Sequence, residues 1–123
     1  MKTMTNGEIY SIANAMQKAF EDSTQRLPVK VNFYMQKNKA TLIALAQEVE
    51  KSRVEILQKY GTLNEETNQF EFKTEDAQTV VAELNELLSI EQEVNIYTVD
   101  IDSFGEAITL TTEQMEALMF MID

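Results

Sequence analysis

From Pro28 to Tyr60 the chain runs without an internal Gly or Pro. Met35, Leu42, Val49 and Ile56 fall seven apart there, which places them near one stripe of a helix. Leu45, Ala46 and Tyr60 flank that stripe, and Ile43, Val54 and Leu57 form a second apolar row. Pro28 suits a first helical position, and Gly61 suits the residue just past the end, where a left-handed conformation would satisfy the last carbonyls. Lys59 complements the dipole at that end. The alternation of Val29, Val31 and Phe33 is a strand pattern. The unbroken continuation into Gln36–Leu57 nevertheless favours a helix of about thirty residues, roughly 45 Å long. Such a helix is the expected spine of a small fold.

The residues on either side supply what the spine packs against. Residues 1–7 read as a lead-in, with a turn at Asn6-Gly7 and Asn6 as a helix cap. Ile9, Ile12, Ala13, Met16, Ala19 and Phe20 recur at three and four, predicting a first helix from Glu8 to about Ser23. Gln25-Arg26-Leu27 then connects to the spine, so the two helices should pair antiparallel. Asn64 to Asn68 are turn residues. Phe70 and Phe72 alternate with polar neighbours as in a short strand. Thr74 is the expected cap of a helix whose face is Ala77, Val80, Val81, Leu84, Leu87 and Leu88, with Glu75 and Asp76 at its positive end. Glu93 to Ile101 alternates as a second strand, expected to pair with Phe70–Phe72. Asp102 to Gly105 is a loop or helical turn. Thr111 with Gln114 three residues on reads as a capping box opening a last helix, Glu113 to Ile122. The expected class is therefore α+β: mainly helical, with a long central helix, two or three further helices and a small two-stranded sheet, in one domain over residues 1–123.

Composition removes much chemistry. There is no Cys and no His, so thiolate metal sites, disulfides and the commonest general base are absent together. No apolar run approaches the ~18 residues that span a bilayer. Met1 to Thr5 lacks the apolar core of a secretory signal. A cytoplasmic protein with no membrane partner is expected.

The net charge of −11 is unevenly spread. Residues 1–60 carry nine basic and six acidic side chains, a balance of +3, whereas residues 61–123 carry one basic and fifteen acidic, a balance of −14. Such a split sets up a directed surface field. Direct nucleic-acid binding is not expected, since that needs a basic footprint. A basic partner, or mimicry of nucleic acid, stays open.

The constellations that could carry chemistry each fall short. Asp100-x-Asp102-x-Phe104-Gly105 starts like a calcium loop, but Phe104 and Thr111 stand where oxygen ligands belong. The paired acids Glu65-Glu66, Glu75-Asp76 and Glu91-x-Glu93 lie in turns, caps and flanks, where solvation opposes acid–base work. The three glycines are isolated, so no phosphate loop exists. Lys30, Lys37, Lys39, Lys51, Arg53 and Lys59 read as a solvated face, with Glu48, Glu50 and Glu55 offering helix-spaced partners and Glu55–Lys59 one such pair. Asn38, Ser52 and Lys59 interrupt the alternate heptad positions, so the spine suits an intramolecular face better than a coiled coil. The Met-rich terminus reads first as core and otherwise as a partner or homo-oligomer contact. No catalytic, cofactor or metal residues are assigned. A partner surface, if present, is expected around Glu65 and Glu66, around Asp100 and Asp102, and at Met119, Phe120 and Met121.

Four stretches together carry a resemblance: Asn6-Gly7-Glu8-Ile9-Tyr10, Leu27-Pro28-Val29-Lys30-Val31, Glu83-Leu84-Asn85-Glu86-Leu87-Leu88 with Glu91 and Glu93-Val94, and Leu110 through Leu118. In this order they resemble a family of uncharacterised small proteins encoded by phages and prophages of Gram-positive bacteria. The resemblance implies a viral or mobile-element origin and no catalytic residues. The expected function is a non-enzymatic accessory factor that binds another protein. The alternatives are an acidic, nucleic-acid-mimicking inhibitor of a host defence enzyme and a virion or tail assembly component.

Overall fold

In the computed structural model, residues 1–20, 27–105 and 110–123 are described. The predicted spine is a helix, α2, Val29–Tyr60, of 32 residues. Pro28 caps it from outside rather than occupying its first turn. Before it come strand β1, Lys2–Thr5, and helix α1, Asn6–Ala19. After it come β2, Gly61–Asn64, and β3, Gln69–Phe72, then α3, Thr74–Ser89, and β4, Glu91–Val94. A 3₁₀ turn at Ile101–Phe104 precedes α4, Thr112–Leu118, and a second 3₁₀ turn, Met119–Met121, follows it. The fold is α+β and mainly helical, with four α-helices among the described residues.

The sheet pairing differs from the expectation. β3 pairs antiparallel with β2, Gly61 opposite Phe72, as a hairpin extending from the end of α2. β4 pairs antiparallel with β1, Lys2 opposite Val94, so the predicted lead-in is a strand. Proximity explains both outcomes. A hairpin closes a short loop, and a Phe70–Phe72 strand has its nearest partner four residues upstream. Asn68 turns the hairpin at φ 58, a conformation Asn tolerates, and its N–H donates to the Asn64 carbonyl at 2.7 Å. The rest of the predicted 93–101 strand is irregular, and only Val99 forms a bridge, parallel to Ile122.

Several boundaries move for stated local reasons. Thr5, not Asn6, caps α1: its hydroxyl accepts from the Glu8 N–H, while the Glu8 carboxylate accepts from the Thr5 N–H. Asn6 is thereby freed to turn inward. Phe20 ends α1 as its C-cap, and the rest of the predicted extension to Ser23, with Gln25 and Arg26 of the connector, lies outside the described residues. Lys73, not Thr74, is the capping residue of α3, without a side-chain cap bond. The Thr111–Gln114 capping box forms as predicted. The apolar terminus is α4 continued by a tighter turn.

Gly61 is extended (φ −122, ψ 169), so it continues directly into β2 rather than closing α2 with a left-handed turn. Its lack of a side chain serves another need. A Cβ there would lie 2.5 Å from Cε1 of Phe72 and 3.0 Å from the Leu57 carbonyl oxygen. The Gly61→Ala variant is therefore expected to cost about 1–3 kcal/mol in urea unfolding by forcing the Phe72 ring off the helix end. An unchanged midpoint would place the ring elsewhere.

The main core gathers Met4, Ile9, Ala13, Met16, Val31, Met35, Leu42, Val94, Val99, Phe104, Ala117, Leu118 and Met121. It therefore sits between α1, the N-terminal half of α2, α4 and the chain around Val94–Phe104. Asn38 of α2 is completely buried beside it. Its Nδ2 donates to the Tyr97 carbonyl at 2.8 Å, and its Oδ1 accepts from the Tyr97 N–H at 2.8 Å. One side chain thus does for Tyr97 what a neighbouring strand would do. The C-terminal half of α2, the hairpin and α3 form an arm beyond that core, where Val49 and Val80 are the buried apolar residues.

Candidate functional site

α3 is held on two sides. Val80 is buried, and Leu84 and Leu87, at four and seven residues on, are half-buried with it. Lys59 of α2 approaches Glu83 at 3.5 Å. The C-terminal end is fixed by Asn6, whose Nδ2 donates to the Leu87 carbonyl at 2.9 Å and whose N–H donates to the Ile90 carbonyl at 2.8 Å. Gln92 in turn donates to the Asn6 Oδ1 at 2.6 Å. Asn6 is thereby satisfied although only 4% exposed.

The adjacent row of the same helix has no cover. Val81, next in sequence to buried Val80, is 57% exposed. With Ala77, Ala82, Gln78 and Asn85 it lines a shallow, mainly apolar groove of about 400 Å³. Leu88 and Ile90 continue the exposed apolar surface past the groove. Glu86 is four residues from Ala82 and Glu75 three from Gln78, so both carboxylates border the groove on one side. Residues 61–94 around it carry nine acidic side chains and one lysine. The arm is therefore an acidic body with an apolar strip along it.

A second exposed surface lies at the start of α2. Tyr34 stacks on Tyr97 with centroids 5.1 Å apart, and Phe33 lies 6.3 Å from Tyr34. The Lys30 ammonium sits 5.7 Å from the Tyr34 ring, and that of Lys37 sits 5.5 Å from Phe33. Elsewhere on the spine Arg53 pairs with Glu50 at 2.6 Å, as helix spacing suggested. Lys59 instead turns to Glu83 and the Tyr60 ring, so the expected Glu55–Lys59 pair does not form.

Glu50 also joins α1 to α2 by accepting from the Tyr10 hydroxyl at 3.1 Å. The Arg53 hydrogen bond holds the Glu50 carboxyl below its ordinary value, against partial desolvation, and Tyr10 adds to the lowering. A depressed folded-state pKa means stabilisation present above the unfolded carboxylate value of about 4.3 and lost as pH falls through the folded one. The pair is 40% and 38% exposed, so its worth is under about 1 kcal/mol. Arg53→Gln is expected to flatten the acid limb of urea midpoints measured between about pH 3 and 7. An acid limb as steep as the wild type's would assign it to other carboxylates.

The residues singled out from sequence do not converge. Glu65 and Glu66 are exposed in the hairpin turn at the far end of α2. Asp100 and Asp102 are exposed beside the turn that follows the segment anchored by Asn38, which belongs to the N-terminal half of α2. Met119 is 63% exposed and Phe120 half-buried, but Met121 is 0% exposed and belongs to the core. Its side chain is thereby removed from the expected partner surface. Among the described residues no group of three or more His, Cys, Asp or Glu could hold a metal ion, and no helix is long and apolar enough to cross a membrane.

The uncovered row of α3 was not singled out from sequence, although a signal existed. Ala77, Val80, Val81, Leu84, Leu87 and Leu88 span a wider arc than one neighbouring helix covers. No family model, curated protein or solved structure matches this chain.

Proposed function

We propose that the protein is a phage- or prophage-encoded accessory factor without catalytic activity, and that it acts by holding another protein against the uncovered face of α3. The origin rests on the four-stretch resemblance. The mode of action rests on one observation: Val81 lies open beside buried Val80, on a helix that its neighbours hold firmly. A rigid, apolar, three-turn strip is the usual centre of a protein–protein contact.

The test compares variants of the tagged full chain expressed in its host. Val81→Asp should lose the partner that the wild type retains, while Leu63→Asp, at another exposed apolar position on the hairpin, should keep it. Retention by Val81→Asp would refute the reading. The same variant separates it from the nucleic-acid-mimic reading, which the nine acids of residues 61–94 favour. A mimic binds through its carboxylates, so an added aspartate leaves it active.

A further inference from the structure

We propose that the occupant of the α3 face is a basic amphipathic helix of a partner protein; this rests on the docking reading above. Two features of the face select it. Ala77 and Ala82 are small, so another helix axis can approach closely, and Val81 between them supplies the apolar contact. The strip from Ala77 to Leu88 is about 16 Å long, which matches three turns of helix. The rim is acidic, with Glu75 and Glu86 along one side and the acidic hairpin upstream in the same arm.

Charge decides between occupants. Two α3 faces brought together antiparallel would set Glu75 of one copy against Glu86 of the other, a like-charge contact that costs affinity. A strand or loop would leave the helical spacing of the strip unused. A helix with Leu or Val on one face and Lys or Arg at its borders satisfies both the strip and the rim. Its association is steered by the arm's field, so it is fast at low salt and weakened by added salt.

The experiment titrates the isotope-labelled full chain with three synthetic peptides of roughly 18 residues, about five helical turns each. They are a Leu/Lys amphipathic helix, its Leu/Glu counterpart and a scrambled Leu/Lys sequence of identical composition. The Leu/Lys helix is expected to shift the amides of Ala77, Val81 and Ala82. Its affinity should fall at least about tenfold between roughly 50 and 500 mM salt. The Glu86→Lys variant should weaken its binding while keeping the wild-type unfolding midpoint, since Glu86 is exposed and lies away from the positive end of α3.

Equal binding of the Leu/Glu helix would overturn the partner class but leave the docking face standing. Equal binding of the scrambled peptide, with shifts spread over all acidic positions, would reduce the effect to general charge attraction and overturn it too. Absence of binding by any peptide would overturn it, with the Val81→Asp comparison still deciding the docking face. Self-association of the chain alone that Val81→Asp abolishes would name a second copy as occupant and overturn it.

Discussion

Replacing Asn38 with alanine is expected to destabilise the fold by about 2–5 kcal/mol, because it empties a completely buried side-chain site and removes both hydrogen bonds of the Tyr97 backbone. The Tyr97 N–H and carbonyl each bond the Asn38 side chain at 2.8 Å, and the residue is completely buried. Each orphaned group costs about 1–3 kcal/mol, against a total stability of about 5–15 kcal/mol for a domain of this size. Urea unfolding followed by circular dichroism measures the loss. The amide of Tyr97 should also become exchangeable well before those of α1.

Asn38→Asp gives a sharper test. One carboxylate oxygen would accept from the Tyr97 N–H as before. The other would face the Tyr97 carbonyl, which repels it when ionised and bonds it when protonated. The folded-state pKa of that aspartate should therefore be raised. A raised carboxyl pKa means stability present at low pH and lost as pH rises from the unfolded value through the folded one. The variant should be more stable at acid than at neutral pH, opposite to the contribution of Glu50. A variant equally stable at both would mean that the side chain has swung away from Tyr97.

Asn38 also illustrates what the sequence could and could not convey. Its interruption of the apolar spacing on the spine was visible, and in the structure the residue is buried within the chain. Its role was not visible, because the group it bonds lies 59 positions away. The same division runs through the fold. The long helix was legible because its apolar rows repeat over many turns, and the Thr111–Gln114 box because a cap is a local motif. β1 was not, since four residues with one buried side chain, Met4, carry no readable period and pair with β4 almost ninety positions on. At Thr5–Glu8 two local signals competed. The turn pair Asn6-Gly7 masked a capping box that spans it.

The candidate site was less legible for a related reason. Periodicity identifies an apolar face but not whether a neighbour covers it. Val80 and Val81 are adjacent, chemically identical and both within the apolar arc, yet one is buried and the other open. Only the placement of α2 and α1 against one side of α3 separates them. Charge was legible in amount and in half-chain asymmetry, and the fold then concentrates it on an arm that the main core does not include.

The terminal methionines turn the same distinction into the second large effect. Met119 and Met121 are two residues apart, and the sequence treats them alike, first as core and otherwise as one partner surface. In the structure Met119 is 63% exposed and Met121 0%. Met121→Ala is expected to cost about 2–5 kcal/mol, the lost transfer energy plus the cavity left in the core. It also removes the sulfur that lies 3.5 Å from the Asn38 Nδ2. Met119→Ala should shift the urea midpoint little, within about 0.5 kcal/mol. Met121→Leu conserves volume and should cost less than about 1.5 kcal/mol, which separates packing from any special need for sulfur. The Met121 backbone carbonyl accepts from the Val99 N–H at 2.9 Å, and the Asp123 N–H donates to the Val99 carbonyl at 2.9 Å. Loss of the Met121 side chain should therefore loosen the bridge between the C-terminus and the Tyr97–Val99 segment, exposing those amides to exchange together. Equally small costs for Met119→Ala and Met121→Ala would place both side chains at the surface and remove the C-terminal turn from the core.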